Sequence, residues 1–173
     1  MPCLFALDQN FPAPIVNVLT EYQEDAELVR LGAIDSRLTD LDDWEVLLAL
    51  HHHASPWDGL ITADTTMLNQ PLELVVLIQT KLTLVNVRAA GHDPVKASGL
   101  LFVYLGRICK RTRADRGQIW SLAAGNKEPS DPWDALKSVA NHQNVDASEL
   151  FSANRLNEEG LAHDPLSAPR LGD

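Results

Sequence analysis

The sequence predicts an α/β domain of three layers (α/β/α), in which helices cover both faces of a mainly parallel sheet of four to five strands. Two observations predict this fold class. Short apolar runs alternate along the chain with longer segments of helical spacing, in the order β-α-β-α-β-α-β-α. In addition, 45% of the 173 residues are hydrophobic, which is enough to bury a sizeable core.

The expected strands are short apolar runs that end at polar residues or turns. The first run ends at Asp8, and the third leads into Asp64. The fourth is rich in β-branched residues, which favour strands. After residue 116 the alternation weakens, and the last apolar run is expected to form an edge strand. The strands are expected at residues 4–7, 28–31, 60–62, 82–87 and 119–122.

The expected helices begin at residues that suit a helix N-terminus. The acidic run that ends at Asp43 offers several N-cap oxygens. Asp93 followed by Pro94 combines a capping side chain with a proline in the first turn, and Asp131 is followed by a proline in the same way. Helices are expected to begin near residues 14, 43, 71, 94, 132 and 147.

The chain is expected to divide into three parts. Residues 1–116 carry the alternating pattern, residues 117–157 are expected to form a helical extension that packs on it, and residues 158–173 are expected to be a flexible tail. No apolar run approaches the roughly 20 residues of a membrane span. The N-terminus lacks the basic region of a secretory signal, and the two cysteines provide no disulfide framework. A cytoplasmic location is therefore expected.

The charge is distributed unevenly. A formal net charge of −10 argues against a simple nucleic-acid-binding domain. Between residues 96 and 116, however, six basic residues accompany one acid. Those from Arg107 to Arg116 lie at the C-terminal end of a predicted helix, where they would interact favourably with the helix dipole. The functional alternative is that they contact RNA phosphates beside a catalytic pocket. The residues expected to bind RNA are Arg107, Lys110, Arg111 and Arg113.

Acidic residues stand where a parallel sheet would bring them together. Asp8 and Asp64 follow strands, and Asp43 opens a helix that follows a strand. Ligands of such sheets bind beyond the carboxyl ends of the strands. Hard divalent cations prefer carboxylate oxygens, and a bound cation can lower the pKa of a water molecule. Each acid also has a structural interpretation as a turn or helix cap, and Asp40 and Asp42 are rivals of Asp43.

Three short motifs carry a resemblance to a known family. They are Leu7-Asp8-Gln9-Asn10-Phe11-Pro12, Asp43-Trp44-Glu45-Val46-Leu47 and Leu60-Ile61-Thr62-Ala63-Asp64. In this order they resemble the Asp-Glu-Asn-Leu-Pro opening, the Asp-x-x-Val-Leu helix start and the Ile-Ile-Thr-x-Asp strand end of the PIN-like proteins related to VapC-type toxins. The resemblance covers residues 3–110.

The resemblance implies a PIN-like fold and an endoribonuclease that depends on Mg²⁺ or Mn²⁺ and hydrolyses phosphodiester bonds. By position, Asp8, Asp43 and Asp64 would hold the metal, Asn10 would shape the pocket and Thr62 would assist through its hydroxyl group. The expected partners are the RNA substrate and, for the toxin of a toxin–antitoxin pair, an antitoxin protein. A homodimer is among the expected assemblies.

Two other interpretations remain open from the sequence. The family commonly has a second acid after the third motif, whereas this chain has Thr66. This difference favours a catalytically degenerate PIN-fold scaffold that binds a protein partner. A phosphoacceptor domain of receiver type also gathers acids at strand ends. Such a domain needs a lysine after a late strand, whereas the fourth predicted strand leads to Arg88.

Overall fold

A five-stranded parallel sheet forms the centre of the protein. The computed structural model describes residues 2–9, 11, 13–87, 93–123 and 128–167. Within them the strands follow the order β2-β1-β3-β4-β5, and every pair of neighbours is parallel. The predicted three-layer α/β/α class is confirmed. The strands are β1 (Cys3–Leu7), β2 (Ala26–Arg30), β3 (Gly59–Thr62), β4 (Thr83–Asn86) and β5 (Gln118–Ser121).

The helices begin where the sequence predicts capping residues. The carboxylate of Asp93 accepts hydrogen bonds from the backbone N–H groups of Val95 and Lys96, at 3.0 and 3.2 Å, and Asp131 caps its helix in the same way. The short α2 and two 3-10 turns, Ser36–Asp40 and Thr66–Asn69, were not predicted. The helices are α1 (Ala13–Tyr22), α2 (Leu31–Ile34), α3 (Asp43–His52), α4 (Pro71–Thr80), α5 (Pro94–Arg111), α6 (Pro132–Gln143), α7 (Ala147–Asn154) and α8 (Glu158–Ala162).

Side chains of the strands alternate between two hydrophobic clusters, one on each face of the sheet. In β1, Phe5 and Leu7 point to one face and Ala6 to the other. Helices α1 and α5 cover the first face, whereas α3, α4 and α6 cover the second. All strand positions near the middle of the sheet are therefore buried, which explains why the strands appear in the sequence as short apolar runs.

The connection through α5 has the opposite hand to the other three crossovers. The step from β1 to β2 and the step from β4 to β5 go in opposite directions along the sheet. Their helices, α1 and α5, nevertheless lie on the same face and contact each other. Crossovers between parallel strands almost always share one hand. As a result, α5 lies beside α1, and α4 packs instead against α3 and α6.

The C-terminal part differs from the sequence prediction in two respects. The expected boundary at residue 116 falls just before β5, which pairs with β4 in the same sheet. Residues 158–167, expected to belong to a flexible tail, are instead folded: they contain α8, and the carbonyl groups of Leu161 and Leu166 lie 2.7 Å from His52 Nε2 and Arg37 Nη1. The remaining residues of that expected tail, 168–173, lie outside the described part of the chain.

Two further observations concern the expected setting of the protein. Cys3 and Cys109 are both free thiols, and the Cys3 Sγ lies 3.6 Å from the carbonyl oxygen of Cys109. None of the helices in the described part of the chain has the length and apolar character that a membrane span requires.

Candidate active site at the carboxyl ends of the strands

The hydroxyl group of Thr62 connects Asp8 and Asp64. Strands β1 and β3 are neighbours, so the residues that follow them emerge side by side. Thr62 is 1% exposed. Its Oγ1 donates a hydrogen bond to Asp8 Oδ2 at 2.9 Å and accepts one from the backbone N–H of Asp64 at 3.0 Å. The hydroxyl proton is thereby directed at Asp8, and the two acids predicted to end strands meet at one buried side chain.

Backbone and side-chain contacts also fix the segment around Asp64. Its Oδ1 accepts a hydrogen bond from the backbone N–H of Thr66 at 2.7 Å. Its carbonyl oxygen accepts a hydrogen bond from Asn86 Nδ2 at the end of β4. The turn after β3 is therefore held by contacts both within itself and from the next strand, so the Asp64 carboxylate projects from a constrained backbone.

Asp43 lies close enough to Asp8 and Asp64 for their negative charges to affect its carboxyl group. It is half-buried in the first turn of α3. Burial raises the pKa of its carboxyl group, and the negative charges of Asp64, Asp8 and Asp42 raise this pKa further. Thus the structure brings the three predicted ligands, Asp8, Asp43 and Asp64, into one electrostatic cluster.

The two rivals of Asp43 occupy different positions. Asp42 is the N-cap residue of α3, and its backbone N–H donates to Glu45 Oε2 at 3.0 Å. It adds to the charge around Asp43 but contributes less than Asp64 or Asp8. Asp40 is exposed at the end of a 3-10 turn and is not among the charges that shift the pKa of Asp43.

Glu73 is a fourth acid at this edge, and the sequence prediction missed it. It is half-buried in the first turn of α4. Its pKa is raised by burial and by the charges of Asp43 and Asp42. Because α4 follows β3, the topological rule that placed Asp43 at this edge applies equally to Glu73. Glu73 helps to line a cleft of about 470 Å³ together with Leu41, Asp42, Asp43, Trp44, Gln70 and Leu72.

Asn86 provides a buried oxygen beside Asp64. The residue is fully buried, and its Oδ1 has no hydrogen-bond partner among the residues that the structure describes. Its Nδ2 donates to the carbonyl oxygen of Asp64, so the assignment of the two amide atoms follows from the hydrogen-bond pattern. A buried acceptor without a donor is costly, and a bound cation or water would satisfy it.

The donor groups at this edge fit a hydrated Mg²⁺ or Mn²⁺ ion. All of them are oxygen atoms, from carboxylates, a hydroxyl and an amide, which are the ligands that hard cations prefer. In the described ranges, no three His, Cys, Asp or Glu side chains are close enough together to hold one metal ion. Mg²⁺ is commonly bound through one or two carboxylates and keeps several of its waters, so a cluster of this looser kind suits it.

The basic residues predicted to bind RNA do not lie beside these acids. Helix α5 starts after β4 and ends before β5. Its C-terminal end therefore lies at the amino ends of the strands, on the opposite side of the sheet from the acids. There Glu128 accepts hydrogen bonds from Arg107 and Arg111, at 2.6 and 2.7 Å, and Arg113 pairs with Asp115 at 3.4 Å. Lys110 is exposed in the same last turn. RNA binding by these residues stays a prediction.

Two other residues named from the sequence, Asn10 and Arg88, lie outside the described residues. Comparisons of the chain with protein-family models, curated proteins and solved structures find no match. The PIN-like resemblance therefore rests on the three short motifs, and the geometry described above stands independently of it.

Proposed function

We propose that the protein is a metal-dependent endoribonuclease of the PIN-like type that hydrolyses phosphodiester bonds. The observation that carries the proposal is the cluster of Asp8, Asp43 and Asp64, in which the Thr62 hydroxyl joins the Asp8 carboxylate to the Asp64 backbone and the charges of Asp64 and Asp8 raise the pKa of Asp43. The cluster lies between β1 and β3, where the strand order reverses and where ligands of doubly wound sheets bind. Cytoplasmic RNA as the substrate belongs to the same proposal.

The proposed mechanism assigns a role to each side chain. Asp8 and Asp64 would hold the cation, and Asp43 would add a third negative charge beside it. Thr62 would orient Asp8 through the hydrogen bond it donates. Asn86 Oδ1 would supply a neutral oxygen where a further acid is lacking. When bound, Mg²⁺ or Mn²⁺ would lower the pKa of a water molecule and neutralise charge on a phosphate oxygen. Without a cation, the acids would weaken the binding of RNA but would not abolish it, so bound Mg²⁺ should increase the affinity for RNA.

Cleavage assays with matched variants test the proposal. Asp8→Asn and Asp64→Asn keep the shape of each side chain but remove its charge. We expect both to reduce Mg²⁺-dependent cleavage of single-stranded RNA about 100-fold or more, because loss of a group that merely supports a metal ligand already costs about 10- to 100-fold. Asp115→Asn changes the same charge near the C-terminal end of α5 and should cleave at the wild-type rate. Equal cleavage by wild type and Asp8→Asn would identify a contaminating nuclease and refute the proposal.

A non-catalytic scaffold that binds a protein partner is the second candidate. The observation that favours it is the hydrogen bond from the Thr66 N–H to the Asp64 carboxylate, because it gives this acid a structural use as a turn cap. Titration calorimetry with Mn²⁺ separates the two candidates: heat of binding that disappears in Asp64→Asn supports the nuclease, and no binding supports the scaffold.

A toxin role and an antitoxin partner rest on the motif resemblance, and a small DNA-binding protein encoded next to this gene would support them.

A further inference from the structure

Arg30 is a basic residue at the same edge of the sheet as the acids. It is the last residue of β2, and it pairs in register with Leu7, which directly precedes Asp8. Strand β2 lies next to β1 on the side away from β3. The side chain of Arg30 therefore flanks the loop that carries Asp8, whereas Asp64 lies on the other side of that loop.

The guanidinium group of Arg30 is held in place by a neutral group, and no carboxylate of the described residues pairs with it. Its Nη2 donates a hydrogen bond to the backbone carbonyl of Gln9 at 3.2 Å. Its Nε is buried and has no acceptor among the described residues, and Arg30 forms no ion pair with any of them. Buried N–H donors are nearly always paired, so this donor lacks an acceptor that a ligand would bring.

Four other arginines of the chain pair with carboxylates, in contrast to Arg30. Each of the four has a carboxylate partner at 2.6 to 3.4 Å, although one of them, Arg107, is half-buried as Arg30 is. A protein with a net charge of −10 has acids available for pairing, yet this half-buried arginine is held by a neutral carbonyl. These four are Arg37, Arg107, Arg111 and Arg113.

We infer that Arg30 binds a phosphate group of the RNA strand next to the one that reacts. The inference rests on the proposed function and names a substrate-positioning residue for it. A guanidinium group binds phosphate oxygens through two parallel N–H donors, and an ionised acceptor is stronger than the carbonyl it now contacts. Arg30 also offsets the repulsion between the acids and the substrate. The inference places the contact with phosphate at the carboxyl ends of the strands, beside the acids, and not at the C-terminal end of α5.

Binding assays in EDTA test the inference without cleavage. The probe is a fluorescein-labelled single-stranded RNA of about ten nucleotides, titrated by anisotropy at several salt concentrations. We expect Arg30→Met to weaken binding about tenfold. The slope of log K against log[salt] should become less negative by about 0.7, the value for loss of one phosphate contact to a single strand. Arg30→Lys keeps the charge and should retain the salt dependence while losing part of the affinity. Arg155→Met makes the same charge change at an exposed arginine that is not among the residues predicted to bind RNA, and it should bind within about twofold of wild type.

Three outcomes would contradict the inference in distinguishable ways. In the first outcome, Asp64→Asn abolishes cleavage but Arg30→Met binds RNA as tightly as wild type. This result overturns the role of Arg30 and leaves the proposed nuclease standing. An equal loss in Arg155→Met shows a general charge effect and also overturns it. Wild-type protein that neither binds nor cleaves RNA overturns both proposals.

A measurement on the wild-type protein covers the case in which Arg30→Met fails to fold. The Nε–H group of an arginine gives its own signal in ¹H–¹⁵N spectra, and Arg30→Lys identifies the signal of Arg30 by its absence. Addition of the same RNA in EDTA should shift this signal, because the Nε–H gains a phosphate acceptor. A signal that stays in place while RNA binds would overturn the inference.

Discussion

Replacing Asp43 with Asn tests whether the acids of the site repel one another in the folded protein. Burial and the charges of Asp64 and Asp8 raise the pKa of Asp43, so the folded protein binds a proton at this carboxyl group more readily than the unfolded chain does. Ionisation of Asp43 therefore opposes folding. The substitution to Asn removes the charge and should increase the free energy of unfolding at neutral pH.

The expected gain is about 1 kcal/mol, the usual effect of relieving an unfavourable charge. This value already allows for the loss of roughly 0.3–1 kcal/mol from the favourable interaction of an acid with the N-terminus of α3. For a domain of this size, 1 kcal/mol raises the melting temperature by about 2–4 °C. The gain should be complete above the raised pKa of the folded state and should vanish below about pH 4, where Asp is protonated in the unfolded chain as well.

Urea denaturation followed by circular dichroism, in EDTA, measures this difference. Glu149→Gln is the matched control, because Glu149 is also in the first turn of a helix but is exposed. That control should lower stability slightly through the helix dipole. Saturating Mn²⁺ should stabilise wild type more than Asp43→Asn and so narrow the gap between them. The reasoning fails if Asp43→Asn is no more stable than wild type at neutral pH, or if its gain is as large at about pH 3.5.

Three further predictions address the framework of the site. Asn86→Ala should weaken Mn²⁺ binding about tenfold, as measured by calorimetry. Thr83→Val is the control, because it removes another unpaired buried oxygen from the same strand, and it should leave Mn²⁺ binding unchanged. Equal losses of affinity in both variants would contradict a ligand role for Asn86. Thr62→Val removes the donor to Asp8 and should lower the free energy of unfolding by about 1–3 kcal/mol in urea denaturation, together with a loss of cleavage. Gly59→Ala places a Cβ 1.8 Å from the Thr83 carbonyl oxygen and should cost more than about 3 kcal/mol; a melting temperature within about 2 °C of wild type would disprove this close packing.

The sequence predicts the sheet and the strand-end acids well because both depend on local signals. Buried strands of a parallel sheet are short apolar runs, and the polar residue that ends such a run lies at the carboxyl edge. Asp8 and Asp64 satisfy this rule by themselves. The capping pair Asp93-Pro94 likewise fixes the start of α5 without reference to the rest of the chain.

The remaining site residues could not be predicted because their importance depends on distant segments. Glu73 is a single acid in an apolar helix until α4 packs beside α3 and brings it near Asp43. Asn86 and Arg30 acquire their positions from strand register, which short apolar runs do not specify. The position of the basic run also depends on the fold, since only the direction of α5 places these residues at the amino ends of the strands, away from the acids.

The pairing of β3 with β4 has a consequence for the protein during its synthesis. Asp8, Asp43 and Asp64 all lie within the first 64 of 173 residues. Strand β3 obtains its second neighbour, and the Asp64 turn its contact with Asn86, only from residues 83–86. A nascent chain that already contains every predicted metal ligand therefore still lacks the strand that holds them in place. The proposed cleavage should therefore begin only after residues 83–86 have left the ribosome and paired with β3.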